Sequence, residues 1–293
     1  MRFVGITRGK RFSPNMSDND MAVMQEVSKR LYDRGHEVWL VSEDDCLELE
    51  QLCQLMPDAI FTMLRGDMGL NCLRRFESQG IPTLNSADAI GNAHRSRITR
   101  ILSDNRFPIP NTMILDNKML EKGNKLLAQL VKRIKFPCWV KNGLGWAQLN
   151  EDVAFMRTPV EAFRQIGLNR QRYPNADIII CEHLNGDLVK FYGVEGTDFF
   201  CWNYPDPSHS KFGIEAINGK PARFKFDEQK LKNVCDSIAA LSAIVVYGGD
   251  CVVNSDGDFK IIDFNDWPSF SSCRETAAEA IALRLLNLLQ YNA

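Results

Sequence analysis

Apolar and polar residues follow two different patterns along the chain, and the change between them falls near residue 85. In the first part, short apolar runs typical of buried strands alternate with segments whose apolar residues recur every three to four positions, as in a helix. The expected strands and helices alternate in the order 3–7, 20–33, 37–41, 43–55, 59–64, 68–78 and 81–84. This βαβα order predicts a small parallel sheet with helices on both faces.

From residue 86 onward the pattern predicts a mixture of helices and antiparallel strands. Ser86 can cap a helix that ends before Pro108, because the residue before a proline avoids the helical conformation. Thr158-Pro159 begins another helix, with proline at the favoured first position. The other expected elements are a helix at 118–135, a strand at 138–142, a glycine loop at 143–145, a strand at 177–181, mostly antiparallel strands as far as about residue 266, and helices at 227–242 and 274–289.

Composition excludes several classes of protein and partner. The formal net charge is −2, so no strong field attracts nucleic acid or an anionic membrane. The chain contains no run of 18 apolar residues, and its first ten residues lack the apolar region of a signal peptide. Its nine cysteines follow no spacing typical of disulfide frameworks or zinc sites, which favours reduced thiols. We therefore expect a cytoplasmic protein with neither a nucleic-acid nor a membrane partner.

The segment 250–265 carries the most informative polar pattern. Asp256-Gly257 stands between two apolar runs, which is a strong signal for a β-hairpin. If these two residues form the turn, Asp250 lies directly opposite Asp263, and a symmetric four-residue loop gives the same register. Asn265 lies two residues beyond Asp263 and therefore on the same face of its strand.

Two carboxylates that face each other across a hairpin repel each other, and a bound cation removes this repulsion. Oxygen ligands without sulfur or imidazole suit Mg²⁺, which keeps several waters and takes phosphate oxygens as further ligands. Asp250, Asp263 and Asn265 are therefore candidate Mg²⁺ ligands. The alternative is an edge hairpin with solvated acids, and the apolar residues that flank the two aspartates count against it.

The spacing of these three residues resembles the metal-binding end of the ATP-grasp superfamily, where an acid follows an aspartate by thirteen residues and an asparagine follows two residues later. Further segments are similar to that superfamily, and their order along the chain is the strongest part of the resemblance. They are 81–90 and 108–112, which are similar to the start of the ATP-grasp domain in RimK-like ligases; 136–145, which resembles the nucleotide lysine and phosphate loop; 178–184, which resembles the adenine hinge; and 186–194, which resembles the next strand in inositol trisphosphate kinases.

The resemblance implies an ATP-grasp fold, which combines α/β and α+β architecture, preceded by a Rossmann-like pre-ATP-grasp domain. On this basis residues 1–85 form the N-terminal domain, and residues 86–293 form the ATP-grasp domain with lobes of about 86–182 and 183–293. The implied cofactors are ATP and one or two Mg²⁺ ions, for which Mn²⁺ can substitute.

The resemblance also assigns individual residues to the nucleotide. Lys141 would contact the α- and β-phosphates, and backbone N–H groups of Gly143 and Gly145 would lie beside them. The other implied contacts are those of Lys190 with the γ-phosphate, of Glu182, His183 and Leu184 with adenine, of Asp187 with the ribose, and of Arg95 as a phosphate-binding cation in place of a family lysine. Each has an ordinary alternative: a lysine at a strand end, a glycine turn, or a charge on a solvated face.

The sequence departs from the superfamily pattern at three places. The phosphate loop is short and carries the bulky Trp146, and the helix lysine that usually precedes Pro108 is absent. The Pro-Gly pair that usually follows the metal asparagine is replaced by Asp-Trp-Pro-Ser-Phe at 266–270. These differences concern the class of substrate more than the binding of a nucleotide.

The acceptor substrate is expected where three loops converge: those after the first strand, the third strand and the metal-binding strand. Ligands of parallel sheets bind outside the carboxyl ends of the strands, which favours the first two loops. Arg8 in the first loop and Arg65 in the second could clamp a carboxylate or phosphate. We predict both, together with Lys190, as catalytic residues, with solvated loop charges as the alternative.

These assignments predict an ATP- and Mg²⁺-dependent enzyme of the carboxylate–amine ligase type. It would activate a small-molecule carboxylate as an acylphosphate for attack by an amine or a similar nucleophile. The alternatives are an ATP-grasp kinase that phosphorylates a hydroxyl, and a nucleotide-binding protein without catalytic activity. The sequence identifies neither the acceptor nor the oligomeric state, and a homodimer is one of the possible states.

Overall fold

Three four-stranded sheets form the framework of the protein. The computed structural model describes residues 1–12, 17–45, 52, 56–120, 124–144, 149–205 and 217–290. Among these residues no helix is both long enough and apolar enough to cross a membrane.

The first sheet is parallel, and its strands lie in the order β2-β1-β3-β4. Phe3 packs in one core with helix Ser17–Tyr32 (α1), whereas Val4 packs in a second core with helix Asp67–Ser78 (α2). The predicted parallel sheet with helices on both faces is therefore confirmed. The strands are Arg2–Thr7 (β1), Glu37–Ser42 (β2), Ala59–Thr62 (β3) and Thr83–Leu84 (β4).

Two connections of this region can be compared with the sequence prediction: the end of α1 and the segment after β2. Gly35, with φ of +79°, follows α1 in the left-handed conformation that favours glycine. Of the helix expected at 43–55, residues 43–45 form a turn, and nearly all of the rest lies outside the described residues.

The helix predicted from Ser86 begins as expected but is divided in two. The Ser86 hydroxyl accepts a hydrogen bond from Ala89 N–H at 3.1 Å and caps helix Ala87–Asn92 (α3). His94 has non-helical backbone angles, φ −57° and ψ 130°, and a second helix, Arg95–Asp104 (α4), begins directly after it. The break gives α4 a direction of its own.

The second sheet is antiparallel, with strands in the order β5-β8-β6-β7, and its helices cover one face. Thr158 caps the last of these helices, as predicted, by accepting a hydrogen bond from Glu161 N–H at 3.2 Å. The single helix predicted at 118–135 is two helices, with residues 121–123 outside the described part. The elements are Thr112–Leu115 (β5), Asn117–Leu120 (α5), Asn124–Arg133 (α6), Cys138–Asn142 (β6), Val153–Met156 (β7), Pro159–Arg172 (α7) and Ile178–Glu182 (β8).

The third sheet is also antiparallel, with strands in the order β10-β9-β11-β12. Its apolar face packs under α4 and a helix capped by Asp227, whose carboxylate accepts a hydrogen bond from Lys230 N–H at 2.8 Å. The elements are Asp187–Val194 (β9), Phe200–Asn203 (β10), Glu228–Ser242 (α8), Val246–Val253 (β11) and Phe259–Asp266 (β12).

The last helix, Arg274–Gln290 (α9), returns to the first sheet. Ala277 and Ile281 on this helix share a core cluster with Phe3, and Glu279 forms an ion pair with Arg34 near the end of α1. Helix α9 therefore completes the core of the N-terminal sheet, although it lies in the part of the chain that the sequence assigned to the second domain.

The helix-free faces of the second and third sheets face each other across a narrow cleft. Lys141 Nζ on β6 donates to Ile262 O on β12 at 3.1 Å, and Lys260 Nζ on β12 lies 3.7 Å from Glu182 Oε1 at the end of β8. The cleft is enclosed by strands of both sheets. Among them, β6, β8, β9, β11 and β12 carry predicted ligand-binding residues: Lys141, Glu182, Asp187, Lys190, Asp250, Asp263 and Asn265.

Candidate active site

The hairpin of β11 and β12 brings the two predicted metal-binding aspartates together. Asp250 pairs with Asp263, as predicted. Nearer the turn, however, Val253 pairs with Phe259, which is one residue away from the predicted register. A β-bulge at Ile262 adds one residue to β12 and restores the predicted pairing at the aspartates.

The register near the turn differs because the loop is longer than two residues. Asn254 Oδ1 accepts hydrogen bonds from the backbone N–H groups of Asp256 at 3.0 Å and Asp258 at 2.9 Å. This side chain therefore organises a loop around Asp256-Gly257 in the way asparagine commonly does in turns. Two departures from the predicted hairpin, a longer loop and a bulge, cancel at the site.

The bulge also decides which face of β12 carries Asp263. Phe259 and Ile261 both belong to the core beneath α8, and strict alternation would send Asp263 to that same face. Because Ile262 is an extra residue, Phe264 takes the core position instead and is 1% exposed. Asp263 consequently faces the cleft.

Positive charges surround the facing carboxylates at moderate distances. Lys190 Nζ lies 3.3 Å from Asp250 Oδ1, since the two residues are partners in the pairing of β9 with β11. Arg95 Nε lies 3.9 Å from Asp263 Oδ1, and Asn265 Nδ2 donates to Asp263 Oδ2 at 3.0 Å. The cluster thus combines two acids, two cations and one amide.

The pKa values of the two aspartates are shifted in opposite directions. Burial raises the pKa of Asp250, and Lys190 offsets only part of this effect. Burial acts in the same direction on Asp263, but Arg95 and Lys141 outweigh it and lower the pKa. Asp250 is therefore the more easily protonated member of the pair.

The donor atoms of Asp250, Asp263 and Asn265 fit a Mg²⁺ site. They offer carboxylate and amide oxygens on one face of the hairpin, and no sulfur or imidazole lies among them. Among the described residues, no three His, Cys, Asp or Glu side chains form a metal-binding group. The set therefore depends on the Asn265 amide and on oxygens that a ligand would bring.

Lys141 and Arg95, which the resemblance assigned to the phosphates, both lie at the cleft. Lys141 is 7% exposed and spans the cleft to Ile262 O. Arg95 Nη1 donates to the carbonyl oxygens of Asn142 at 2.9 Å and Leu144 at 3.4 Å, while its buried Nε has no hydrogen-bond partner among the described residues. Arg95 therefore holds the start of the glycine loop through Nη1, while its Nε lies 3.9 Å from Asp263 Oδ1.

The glycine loop is described only at its start. Gly143 N–H donates to Asp177 O at 2.7 Å and Gly143 O accepts from Ser96 N–H at 3.0 Å, so this residue fastens the loop to α4 and β8. A Cβ at Gly143 would lie 2.6 Å from Asp177 O, which explains the glycine. Gly145 and Trp146 lie outside the described residues, and the role of Gly145 stays a prediction.

The hinge residues Glu182, His183 and Leu184 line one small cavity at the end of the cleft. Glu182 Oε1 accepts a hydrogen bond from Asn111 N–H at 3.1 Å. His183 Nδ1 accepts from Trp139 Nε1 at 3.2 Å, and burial lowers the pKa of His183. His183 is consequently neutral near pH 7, with its proton on Nε2.

Asp187, expected at the ribose, is occupied by contacts within the protein. It is 4% exposed, and its two carboxylate oxygens accept hydrogen bonds from Ala222 N–H and Phe224 N–H, both at 2.7 Å. Since both oxygens are used and the side chain is buried, the geometry favours a structural role. Lys190, in contrast, faces the cleft beside Asp250, and its contact with the γ-phosphate stays a prediction.

Arg8 and Arg65, predicted as acceptor-binding residues, are also held by partners within the protein. Arg65 forms a buried ion pair with Asp266, and Arg8 lies 3.2 Å from Asp20. Arg8 Nη2 also donates to Trp267 O at 3.2 Å. This geometry favours a role in holding the chain just after Asn265 over direct contact with an acceptor.

The carboxyl edge of the first sheet binds a carboxylate of the protein itself. Glu43 accepts hydrogen bonds from the backbone N–H groups of Gly9 at 2.9 Å, Arg65 at 3.2 Å and Gly66. Residues 13–15, which the sequence placed in the first acceptor loop, lie outside the described residues. A second anion at this edge would therefore have to compete with Glu43.

Two side chains of the cleft were missed by the sequence analysis. Lys260 pairs with Val252, and alternation along the hairpin could have identified it as a cleft residue. Asn218 lines the hinge cavity and donates to Leu184 O at 3.2 Å, but it belongs to no recognisable motif. Its contact with Leu184 joins residues 34 positions apart, which the local sequence does not indicate.

Comparison with solved structures identifies the fold. Two structures of D-alanine–D-alanine ligase from Bacillus anthracis, one of them complexed with ATP, match over 100% of both chains with TM-scores of 0.68 (the ATP complex) and 0.69 and 14% sequence identity. A RimK domain ATP-grasp protein from Sphaerobacter thermophilus matches over 98% of this chain and 100% of its own with a TM-score of 0.64 and 16% identity.

This chain has an ATP-grasp fold. The predicted fold class, an α/β parallel sheet followed by antiparallel α+β lobes, is confirmed over the full chain. No protein-family sequence model and no curated protein sequence matches the chain. The cleft between the two antiparallel sheets is the candidate ligand site, because the charged side chains around Asp250 and Asp263 lie there.

Two small spaces lie inside the ATP-grasp cleft. The space around the hinge residues and Val252 measures about 20 Å³, and a second space, lined by Arg95, Lys141 and Asp263, measures about 30 Å³. Each has room for one or two water molecules and is too small for a nucleobase. A larger cavity of about 650 Å³ shares Leu184 and Val252 with the hinge space. A nucleobase beside the hinge residues therefore requires the side chains that line the small space to move.

Proposed function

We propose that the protein is an ATP- and Mg²⁺-dependent ligase, which activates a small-molecule carboxylate as an acylphosphate for attack by an amine. The observation that carries this proposal is the convergence of Lys141, Arg95 and Lys190 on the facing aspartates Asp250 and Asp263 inside an ATP-grasp cleft. Three cations beside two acids leave a net positive charge, which suits a metal–polyphosphate complex.

In this proposal the chain acts mainly by positioning and by neutralising charge. Asp250, Asp263 and Asn265 would hold Mg²⁺, which would supply neutralisation of phosphate charge when bound. Lys141 contacts the phosphates nearest the nucleoside, and Lys190 lies beside the metal ligands at the γ-phosphate end. The hinge residues hold the base at the other end of the cleft.

The reaction would proceed in two displacements. A carboxylate oxygen of the substrate attacks the γ-phosphorus, and the bond from that phosphorus to the bridging oxygen breaks to release ADP. The amine nitrogen then attacks the acyl carbon, and inorganic phosphate leaves as the amide forms and the amine proton passes to solvent. No side chain at the site is assigned as a general base.

The acceptor would bind beside Lys190, at the start of α9. Asn203 pairs with Lys190 across β10 and β9, and its side-chain oxygen accepts a hydrogen bond from Ser272 Oγ at 3.1 Å. Ser272 and Arg274 line an open polar cavity of about 580 Å³ that α1 borders on its other side. This cavity is continuous with the third loop at which the sequence placed the acceptor.

The test has two stages, and the first concerns the nucleotide. Binding of Mg-ATP to the folded protein should raise its Tm in proportion to the logarithm of ligand concentration above saturation. Calorimetry should detect the same event. Absence of both effects would remove the basis of the proposal.

The second stage identifies the chemistry. ADP release is measured against a panel of carboxylates, amines and polyols, with omission of each acceptor as the control. Hydroxylamine is then added to the reaction with the active acceptor. A hydroxamate product supports an acylphosphate and hence a ligase, whereas a stable phosphoester identifies a kinase, and binding of ATP without any turnover indicates a nucleotide-binding protein.

A further inference from the structure

Asn218 is fastened to the turn that joins β8 to β9. Its Nδ2 donates to Gly186 O at 2.9 Å and to Leu184 O at 3.2 Å. Gly186 has φ of +146°, and a Cβ at this position would collide with Val253 O, so the turn packs tightly against the end of β11. Asn218 therefore contacts a rigid part of the cleft.

The direction of the Asn218 amide follows from these two hydrogen bonds. A backbone carbonyl oxygen can only accept, so both contacts require the nitrogen of the amide, and they use both of its hydrogens. The side-chain oxygen must then lie on the opposite side. Oδ1 is buried and accepts no hydrogen bond from any of the described residues.

A buried acceptor without a donor is unusual in a folded protein, because burial removes the water that would otherwise satisfy it. Asn218 lines the cavity of about 20 Å³ at the hinge together with Glu182, Leu184, Val252 and Ile262. Two side chains that can accept hydrogen bonds, Asn218 and Glu182, thus border the same small cavity, beside the apolar side chains of Val252 and Ile262.

We infer that Asn218 is a specificity-determining residue, which accepts a hydrogen bond from the 6-amino group of adenine. This inference rests on the proposed function, because it requires an ATP site in the cleft. The 6-amino group has two hydrogens, and Asn218 and Glu182 supply two acceptors for them. Guanine has an oxygen at position 6, which would face both acceptors without a hydrogen to share.

The experiment compares the Kd values of three nucleotides by calorimetry, in the presence of Mg²⁺ and without an acceptor. They are ATP, purine riboside triphosphate, which lacks the amino group, and 2′-deoxy-ATP. The wild-type protein should prefer ATP to purine riboside triphosphate, and Asn218→Leu should reduce this preference by about threefold to tenfold. The ratio of ATP to 2′-deoxy-ATP should not change.

Asp187→Asn is the matched control, because it disturbs the neighbouring backbone at Ala222 and Phe224 but keeps the Asn218 side chain and its two hydrogen bonds to the turn between β8 and β9. It should weaken binding of all three nucleotides equally. If Asn218→Leu does not fold, Asn218→Ala removes the same oxygen with a smaller side chain.

An unchanged preference for ATP over purine riboside triphosphate in the Asn218 variant would overturn the inference. A loss of preference against 2′-deoxy-ATP instead would also overturn it, because the oxygen would then contact the ribose. If the wild-type protein binds none of the three nucleotides, the proposed function itself fails and this inference with it. Binding with unaltered ratios refutes the role of Asn218 alone.

Discussion

The protein contains two clusters of acidic and basic side chains, and they differ in how completely their charges are paired. One lies in the cleft around Asp250 and Asp263, and the other lies at the carboxyl edge of the first sheet around Arg8, Arg65 and Asp266. Both are built from the same types of residue. Their hydrogen bonds and exposure separate them.

In the cleft the ion pairs are long and partly exposed. Lys190 lies 3.3 Å from Asp250 and Arg95 lies 3.9 Å from Asp263, with about a quarter of each aspartate side chain accessible to solvent. At the sheet edge, Asp266 is almost fully buried against Arg65. The first cluster can exchange its present partners for a ligand, whereas the second can do so only by breaking buried ion pairs.

This difference indicates that the position of a charged side chain at the edge of a sheet is a weaker guide to ligand binding than its exposure and its ion-pair partners. The arginines at the sheet edge stand where ligands of parallel sheets commonly bind. They are nevertheless occupied by Asp20, Asp266 and the Trp267 carbonyl. Substitutions in the two clusters should therefore affect different properties of the protein.

The largest expected effect is on stability, from Arg65→Met. This change leaves the Asp266 carboxylate buried without its ion-pair partner, which costs about 3–5 kcal/mol in comparable cases. Urea denaturation followed by circular dichroism should show the loss. Arg100→Met is the matched control, because its ion pair with Asp177 is exposed and should contribute less than about 1 kcal/mol.

The result that would break the comparison is a stable Arg65→Met protein without turnover. Arg65 would then contact the acceptor, as the sequence predicted. The double substitution Arg65→Met with Asp266→Leu sharpens the test, since it removes both buried charges and should recover much of the lost stability.

The next effect is on turnover, from Asp263→Asn. This residue lies opposite Asp250 and two residues before Asn265, so it is the central member of the proposed metal site. Turnover should fall by about 10²–10³-fold, which is typical for loss of one group that stabilises transition-state charge. ADP production and circular dichroism measured on one preparation separate this effect from unfolding, and full activity would refute the metal site.

A smaller effect should distinguish two lysines on the cleft face of the third sheet. Lys190 lies beside Asp250 at the γ-phosphate end, whereas Lys260 lies beside Glu182 at the hinge. Lys190→Met should lower kcat by about tenfold or more, and Lys260→Met should mainly alter KM for ATP. Equal effects of both substitutions on kcat would contradict the proposed direction of the nucleotide.

The smallest effect concerns stability without metal. The folded-state pKa of Asp250 is raised by burial, so its ionised form is less favourable in the folded protein than in the unfolded one. Asp250→Asn should therefore raise Tm in EDTA at pH 7, by the equivalent of about 0.5–1 kcal/mol. The gain should disappear below about pH 4, where aspartate is protonated in both states.

Asp263→Asn should act in the opposite direction under the same conditions. Its pKa is lowered in the folded protein, so the charged carboxylate stabilises the fold above its ordinary pKa, and this contribution is lost as the pH falls. The variant should melt below the wild type at pH 7. If both variants changed Tm in the same direction, the two aspartates would not have oppositely shifted pKa values.

Patterns within single elements predicted much of this architecture. Apolar runs and cap residues located most strands and helices, and the hairpin signal at Asp256-Gly257 placed Asp250 opposite Asp263. The bulge at Ile262 was not predicted, although the apolar positions of β12 shift from Phe259 and Ile261 to Phe264. This break in the alternation of apolar residues is visible in the sequence, and it could have predicted the bulge.

The rest depends on contacts between distant parts of the chain. Arg65 was placed correctly at a carboxyl edge, but its partner Asp266 lies 201 residues away, and no local pattern joins the two. Asp187 was expected at the ribose from the superfamily resemblance. Its actual partners are the backbone N–H groups of Ala222 and Phe224, which lie 35 and 37 residues further along the chain.

Helix α9 has a consequence for the synthesis of the protein. Its ion pair between Glu279 and Arg34 closes a loop of 245 residues, and its apolar residues cover the same core as Phe3 of the first strand. At common rates of translation, roughly 10–50 s separate the appearance of α1 from that of α9. During that interval the nascent first sheet exposes an apolar face, which needs protection from aggregation until α9 covers it.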